Sequence, residues 1–279
     1  MQSEAGNIDP DTVAGFGREW RRFDQGAVPP EENLRTFQSY FAVFPWEKLS
    51  RHAEGFDAGC GSGRWAAQVA PRVGRLHCID ASAAALEVAR RNLGGHDNVV
   101  FHEAPLSAMP VADAGMDFGY SLGVLHHLPD PHAGLAACVR KLKPGAPMLV
   151  YVYYALDDKP LWFRFLWRAS DIMRRAVSAA PFPVRSAVAE ILAALVYWPV
   201  ARGAQLAEKI GLNVADWPLG GYRWRSYYTM RTDALDRFGT RLEHRMSRDA
   251  LKKMMEAAGL GTVRFSEFPP YWCAVGYRA

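Results

Sequence analysis

Residues 56–63 read FDAGCGSG and are the most informative stretch of the chain for its fold. Its first residues are typical of the end of a short strand, and a helix pattern follows from Arg64. Glycine permits a positive φ and lets a ligand approach backbone N–H groups, so Gly59, Gly61 and Gly63 suit a sharp turn between the two. The spacing differs from the G-x-G-x-x-G pattern of dinucleotide folds, and no Gly-Lys-Ser/Thr follows as in a P-loop. A tight turn without a ligand is the alternative interpretation.

A second signal is an acidic residue at the end of the next predicted strand. Asp80 follows Gly63 by 17 residues, and a carboxylate in such a place accepts both hydroxyls of a ribose. The alternative is a charge at a helix N-terminus before Ala81. Because ligands bind at the carboxyl ends of parallel strands, the glycine turn and Asp80 together predict one binding site.

Strand-like and helix-like segments alternate between residues 51 and 155, which predicts a parallel sheet covered by helices on both faces. Ser82 is the expected N-cap of the helix that follows Asp80. Two further strands are expected near the end of the chain. The predicted strands lie near residues 55–59, 75–80, 98–102, 116–121, 148–154, 262–268 and 271–277, and the clearest helices near 81–93, 130–142 and 247–259.

Four motifs in this order make residues 56–154 resemble the class I S-adenosylmethionine-dependent methyltransferases. They are FDAGCGSG at 56–63, IDAS at 79–82, MDF to HHL at 116–128, and LKPG at 142–145. The resemblance implies a Rossmann-like, seven-stranded, mostly parallel sheet with helices on both faces. It also implies an antiparallel C-terminal hairpin, a helical insertion after the fifth strand, and S-adenosylmethionine as the cofactor.

The resemblance also assigns cofactor contacts at the turn and at the second strand. Asp57 and the amides around Gly59 and Gly61 would hold the amino-acid end of the cofactor. Asp80 would bind the ribose, and Ala81 would border the adenine.

Further cofactor contacts are expected at the third and fourth strands. Glu103 and Ala104 stand where the family often has Asp-Ala beside the adenine, and the glutamate is a departure from that pattern. Backbone carbonyls near Ser121 and Leu122 would face the ammonium group of the cofactor. Arg64 is a candidate partner for its carboxylate, with a surface cation as the alternative.

Two histidines follow the fourth predicted strand. An oxygen or nitrogen acceptor must lose its proton, and near neutral pH the usual base is a histidine or an acid. His126 and His127 are therefore the first candidates for a base or substrate contact, with a structural histidine pair as the alternative. No metal is predicted, because His126, His127 and His132 lack zinc-site spacing and the cysteines form no C-x-x-C pair.

Composition changes divide the chain into four regions. Residues 1–50 are expected to form an N-terminal helical cap, 51–155 the cofactor-binding core, 156–230 a helical lid or substrate insertion, and 231–279 the C-terminal completion of the core. Aromatic and basic residues in and after the insertion are candidate acceptor contacts; some could instead be a strand edge. These candidates are Tyr222, Trp224, Tyr228, Arg241 and His244.

The insertion contains two apolar segments that predict helices. Residues 161–175 form an amphipathic pattern with aromatic and arginine sides, and residues 187–201 are nearly uncharged, with a break expected at Pro199. Together they would make an apolar lid or acceptor pocket. A homodimer face, an interfacial helix on a membrane surface, and ordinary packing are the alternatives.

Composition and charge exclude several classes of protein. The 279 residues are 49% hydrophobic and 22% charged, which excludes disordered and fibrous classes. No uncharged apolar run has the length of a membrane span, and the N-terminus lacks a secretory pattern, so a cytoplasmic location is predicted. The net charge of +4 is modest and disfavours a nucleic-acid partner.

The leading hypothesis is methyl transfer from S-adenosylmethionine to a small or lipid-like organic acceptor, with anionic acceptors among the candidates, by in-line displacement at the sulfonium methyl. Three alternatives stay open. One is a non-methylating use of the same cofactor, such as an intramolecular displacement. The others are an RNA methyltransferase and a non-catalytic protein that only binds the cofactor. The sequence leaves the acceptor atom open.

Overall fold

The computed structural model describes residues 6–156, 159–214, 217–268, 270 and 272–279. These residues divide into two compact units. The first comprises the described residues up to Gln25, together with Leu34–Ala155 and Leu242–Ala279. The second comprises Gly26–Asn33 and the described part of Leu156–Arg241. The predicted insertion, residues 156–230, lies within the second unit, which also takes in residues 231–241 and a short N-terminal segment.

The first unit is built on a seven-stranded sheet. Its strands run in the order β3-β2-β1-β4-β5-β7-β6. All neighbours are parallel except β7, which is antiparallel to both β5 and β6. This confirms the predicted seven-stranded, mostly parallel fold with an antiparallel C-terminal pair. The strands are β1 Glu54–Ala58, β2 Arg75–Asp80, β3 Val99–Glu103, β4 Phe118–Leu122, β5 Pro147–Tyr151, β6 Leu260–Phe265 and β7 Cys273–Arg278.

Helices of the first unit begin where the sequence supplies caps. The side chains of Asp9, Ser82, Asp130 and Ser247 each accept a hydrogen bond from a backbone N–H three residues later, which satisfies an N–H group that the helix cannot. The helices are α1 Pro10–Arg22, α2 Pro30–Tyr40 (whose first residues belong to the second unit), α3 Ala66–Val69, α4 Ala83–Asn92, α5 Pro131–Lys141 and α10 Arg248–Ala257. Tyr271, the predicted start of the last strand, lies outside the described residues.

Alternate strand residues fill the two faces of this sheet. Phe56 and Val150 belong to one buried cluster, and Phe118 and Leu149 belong to another. A strand points successive side chains to opposite faces, so two apolar clusters require helices on both sides of the sheet. This arrangement leaves the carboxyl ends of β1, β2 and β4 beside one another at the edge where the glycine turn begins.

The second unit is helical. Its helices are α6 Leu161–Ser178, α7 Phe182–Leu192, α8 Trp198–Lys209 and α9 Tyr227–Gly239. The predicted break at Pro199 is wrong: helix runs from Phe182 to Lys209, with a π-helical segment at Ala193–Tyr197. Proline lacks an N–H and its ring clashes with the carbonyl four residues earlier, and the wider π turn just before it accommodates this clash.

The helix Phe182–Lys209 is long and apolar enough to cross a membrane by length and composition. This corrects the expectation that the chain holds no such segment. The finding carries little weight alone, because core helices of many proteins pass the same test.

The segment at Tyr222–Tyr228 is no strand edge: it forms a 3-10 turn at Gly220–Tyr222 and the start of α9.

Candidate cofactor site

The turn after β1 has the backbone that its glycines predict. Gly59, Gly61 and Gly63 have φ values of +82°, +53° and +76°, a region that other residues enter at a cost. The N–H groups of Gly59 and Cys60 donate to the Ile79 carbonyl at 2.8 and 3.1 Å. The turn is therefore fastened to β2, directly beside Asp80.

Asp80 joins the turn to the following helix. Its Oδ2 atom accepts a hydrogen bond from the Gly61 N–H, and its Oδ1 atom accepts one from the Ser82 N–H, both at 2.8 Å. Burial raises the pKa of this carboxyl, against the lowering effect of the two backbone donors. Since a carboxylate offers about four acceptor positions, the Asp80 oxygens retain the capacity to accept two ribose hydroxyls.

Asp57 is a buried acid inside β1, next to the turn. No well-formed hydrogen bond reaches its Oδ2 atom from any residue that the structure describes. Burial raises the pKa of Asp57 to about 8; the Tyr120 hydroxyl lowers it and the Asp80 charge raises it further. A buried carboxyl oxygen without a well-formed hydrogen bond is costly, and such an atom is a candidate contact for a ligand. A cationic ammonium group on a ligand would meet that need.

Side chains from other elements close over the glycines. A Cβ atom at Gly61 would lie 2.9 Å from the Trp20 Nε1 atom, and one at Gly59 would lie 2.4 Å from Val124 Cγ2. Trp20 lies in the N-terminal cap expected from the sequence, whereas no role was expected for Val124. The spacing of Phe16, Trp20 and Phe23 in the α1 region was the available signal for Trp20, because residues at i, i+4 and i+7 share one helix face.

The remaining predicted cofactor residues lie at the same edge of the sheet. Glu103 pairs in register with Asp80, and the Ala104 N–H donates to the Asp80 carbonyl at 3.0 Å. The Ser121 hydroxyl donates to the Ala58 carbonyl at 2.9 Å, next to the turn. The Arg64 guanidinium lies over the ring of Trp65, 4.6 Å from its centroid. Ala81 and Leu122 directly follow Asp80 and Ser121 in the chain.

His126 is fully buried in the 3-10 turn Leu125–His127, within the loop after β4. Neither of its ring nitrogens has a hydrogen-bond partner in the described part of the chain. Its ring packs on Tyr153, with centroids 4.0 Å apart. Burial holds the pKa of His126 well below its usual value, and His127, Arg245 and His244 lower it further. Burial therefore disfavours the charged imidazole, and a catalytic role for it stays a prediction.

His127 has a defined hydrogen bond. Its Nδ1 atom lies 2.7 Å from the Leu242 carbonyl, and because a carbonyl only accepts, Nδ1 carries the proton. In the neutral ring Nε2 is then the acceptor nitrogen. The ring also packs on Phe16, with centroids 5.0 Å apart.

His244, which also belongs to the first unit, contacts His126. The His244 N–H donates to the His126 carbonyl at 2.8 Å. Arg245 follows, with its guanidinium 5.2 Å from the Tyr153 ring centroid and 2.6 Å from a Glu243 carboxylate oxygen. Sequence reasoning missed Tyr153 and Arg245, because their contacts depend on how β5 and residues 242–246 meet.

The other predicted acceptor residues belong to the second unit. Tyr222 packs against Tyr197, with ring centroids 5.2 Å apart, and Trp224 is exposed. Tyr228 lies in the first turn of α9. The Arg241 carbonyl accepts a hydrogen bond from Arg174 at 3.4 Å. Their role as acceptor contacts stays a prediction.

Among the described residues, no group of three or more His, Cys, Asp or Glu side chains is arranged to hold a metal.

Comparison with known proteins agrees with this geometry. Residues 56–150 match the family model described as a methyltransferase domain. A ubiquinone biosynthesis O-methyltransferase of Alkalilimnicola ehrlichii is 35% identical over 111 residues, which is 39% of this chain and 44% of that protein. A second one, of Idiomarina loihiensis, is 27% identical over 155 residues, covering 52% of this chain and 60% of that protein.

Solved structures show the same fold. A Thermotoga maritima S-adenosylmethionine-dependent methyltransferase, described as a possible histamine N-methyltransferase, covers 96% of this chain and 100% of its own, with a TM-score of 0.51 at 15% identity. Residues 56–150 therefore match a methyltransferase domain, and the seven-stranded sheet agrees with the class I S-adenosylmethionine-dependent methyltransferase fold that the sequence motifs resemble. It spans 60% or less of the length of the curated relatives it matches.

Proposed function

We propose that this chain binds S-adenosylmethionine at residues 57–63 and Asp80, and transfers its methyl group to a small or lipid-like organic acceptor. The observation that carries the proposal is the buried carboxyl of Asp57, whose Oδ2 atom has no well-formed hydrogen bond among the described residues, beside a turn of three positive-φ glycines. The Asp57 carboxyl favours a cationic ligand, and the glycine turn allows that ligand to approach the backbone closely. The amino-acid end of S-adenosylmethionine has that character.

The residues at this edge would hold and orient the cofactor. Asp57 would face its ammonium group, and the free acceptor positions of Asp80 would receive the ribose hydroxyls. When bound, the cofactor supplies a methyl group on a sulfonium, which is already an activated leaving group. The protein then has to align a nucleophile with that methyl and exclude water, and alignment is worth several kcal/mol of the barrier, about 7–11 in the best cases.

The acceptor side is proposed from the histidine cluster. His127 presents a tautomer that takes up a proton at Nε2, which suits an acceptor that must lose a proton as it is methylated. Several curated relatives are named as O-methyltransferases, which supports an organic oxygen acceptor. The cytoplasmic location expected from the sequence stays a prediction.

Calorimetry with S-adenosylmethionine and S-adenosylhomocysteine tests cofactor binding. We expect the wild-type chain to bind both, and Asp80→Asn to weaken binding at least tenfold, about 1.4 kcal/mol. Asp97→Asn, an exposed acid away from the turn, is the matched control and should bind like wild type. The absence of binding heat with the wild-type chain would refute the proposal.

Turnover is tested by following S-adenosylhomocysteine in the presence of small phenols, carboxylic acids and amines. Methylated acceptor together with S-adenosylhomocysteine is the expected result. Cofactor-derived products other than S-adenosylhomocysteine, formed without any acceptor, would favour a non-methylating reaction instead.

A further inference from the structure

Helix α6, which belongs to the second unit, has its polar face toward the rest of that unit. Asp171, Arg174 and Ser178 are buried. The Arg174 Nε atom donates to an Asp171 oxygen at 2.6 Å, and its Nη1 atom donates to the Thr240 carbonyl at 2.9 Å. The inward face of α6 therefore carries a hydrogen-bonded ion pair and has no apolar stripe among its buried residues.

The outward face of α6 is apolar. Phe165 is 76% exposed and Ile172 is 73% exposed. Leu161, Trp162, Leu166 and Met173 are exposed as well. A helix on the surface of a water-soluble domain has the reverse arrangement, with apolar residues inward and charges outward. The exposed face of α6 is thus built to contact something less polar than water.

The helix Phe182–Lys209 shows the same reversal. Its buried positions carry small side chains, namely Ala189, Ala193, Ala201, Ala204 and Ala207 together with Tyr197. Its exposed positions carry large ones, including Leu195, which is 72% exposed, and Ile191 and Leu206. Two separate helices of one unit therefore place their bulky apolar residues outward.

These exposed side chains are concentrated in the second unit. It carries 18 of the 21 large apolar residues that are exposed in the described part of the chain, although it holds only about a third of the residues. Isolated exposed apolar residues are ordinary, but a concentration of this kind marks an interaction surface.

The charge of residues 159–214 indicates which kind of partner this surface binds. Residues 159–214 contain eight Lys and Arg but three Asp and Glu. Each acid is held in an ion pair: Asp171 with Arg174 and Arg175, Glu190 with Arg231, and Glu208 with Arg223. Arg168 and Arg175 follow Phe165 and Ile172 by three residues, which places each cation beside an exposed apolar side chain.

We propose that the outward faces of α6 and of the helix Phe182–Lys209 bind the surface of an anionic phospholipid bilayer. Exposed aromatic and aliphatic side chains would enter the boundary between head groups and acyl chains, and the neighbouring arginines would contact phosphates. The binding is peripheral rather than spanning, because the inner faces of these helices are held to the second unit. Arg231 pairs with Glu190 at 2.6 Å, and Arg202 donates to the Arg223 carbonyl at 2.8 Å.

Vesicle flotation of the full-length chain tests this inference. We expect the protein to float with phosphatidylcholine vesicles that contain phosphatidylglycerol, and to float less with phosphatidylcholine alone or at high salt. Phe165→Asp and Leu195→Asp, one on each helix, should each weaken binding at least tenfold. Arg168→Gln should weaken binding only to the anionic vesicles.

The matched control is Phe268→Asp, because Phe268 is 73% exposed but belongs to the first unit; its binding to vesicles should be unchanged. Far-UV circular dichroism and calorimetry with S-adenosylhomocysteine show whether each variant is folded, and these readouts also separate this inference from the proposed function.

Three results would overturn the inference: no flotation of the wild-type chain, equal flotation of Phe165→Asp, or loss of flotation in Phe268→Asp to the same extent. A dimer in light scattering that Phe165→Asp dissociates, with no vesicle binding, would assign this face to a contact between two copies instead.

Discussion

Replacing Asp57 with asparagine should stabilise the protein and impair cofactor binding at the same time. Burial raises the pKa of Asp57 from 3.8 to about 8, so the fold favours the protonated acid. Between these two values the folded state binds more protons than the unfolded state, and stability therefore falls as the pH rises from about 4 to about 8. Asparagine is nearly the same size and does not ionise, so it removes this loss.

The size of the effect follows from the two pKa values. They differ by about four units, and each unit corresponds to about 1.4 kcal/mol. Asp57→Asn should therefore raise the free energy of unfolding by at most about 6 kcal/mol at pH values above 8, and by at most about 2 kcal/mol at pH 5. Since 1 kcal/mol shifts the Tm of a domain of about this size by roughly 2–4 °C, the variant should gain several degrees more at pH 8 than at pH 5.

Thermal melts of the wild-type chain, Asp57→Asn and the control Asp97→Asn between pH 5 and pH 9 measure this difference. The control should follow wild type at every pH. Calorimetry at pH 8 should show S-adenosylmethionine binding weakened at least tenfold in Asp57→Asn, because asparagine offers no charge to an ammonium group. A Tm difference that does not grow with pH, or unchanged affinity, would refute the assigned state and role of Asp57.

Three further substitutions test the packing that supports the site and the second unit. Gly61→Ala places a Cβ against Trp20 at a φ of +53°, and should cost about 1–2 kcal/mol in urea unfolding and weaken cofactor binding; wild-type values for both would contradict the strained turn. Ser82→Ala removes the N-cap of α4 and should cost about 1 kcal/mol, with Ser82→Thr as the conservative control that should retain most of it. Arg174→Met leaves the buried Asp171 with only the exposed Arg175 and should cost about 3 kcal/mol; no change in urea unfolding would show that the ion pair does not hold α6.

The positions of the strands along the chain and the position of the turn could be predicted because local sequence dictates them. Gly59, Gly61 and Gly63 all take positive φ, and few other residues tolerate that backbone. Ser82 and Asp130 begin helices where expected, because a cap depends on a hydrogen bond within three residues. A parallel sheet covered by helices followed from the regular alternation of strands and helices, whereas the seven strands and the antiparallel C-terminal pair followed from the resemblance to the methyltransferase family.

The chemical state of the site could not be predicted in this way. The raised pKa of Asp57 depends on burial among residues far apart in sequence, including Tyr120 and Asp80. His126 and His127 are adjacent and identical in the sequence, yet one is buried without a hydrogen-bond partner among the described residues and the other donates to Leu242. That difference arises only when residues 242–246 meet the loop after β4.

The orientation of α6 is the clearest limit on sequence reasoning, and it also supports the membrane inference. An amphipathic pattern gives a helix two faces but does not say which one points inward. In α6 the Asp171–Arg174 pair lies inward while Phe165 and Ile172 face outward. Burying an ion pair seldom stabilises a fold by itself, and leaving large apolar side chains in water forgoes about 1.5–3 kcal/mol for each. A helix with both features recovers that energy only when its outer face contacts an apolar partner, and a bilayer bordered by anionic phosphates fits both the apolar residues and the arginines beside them.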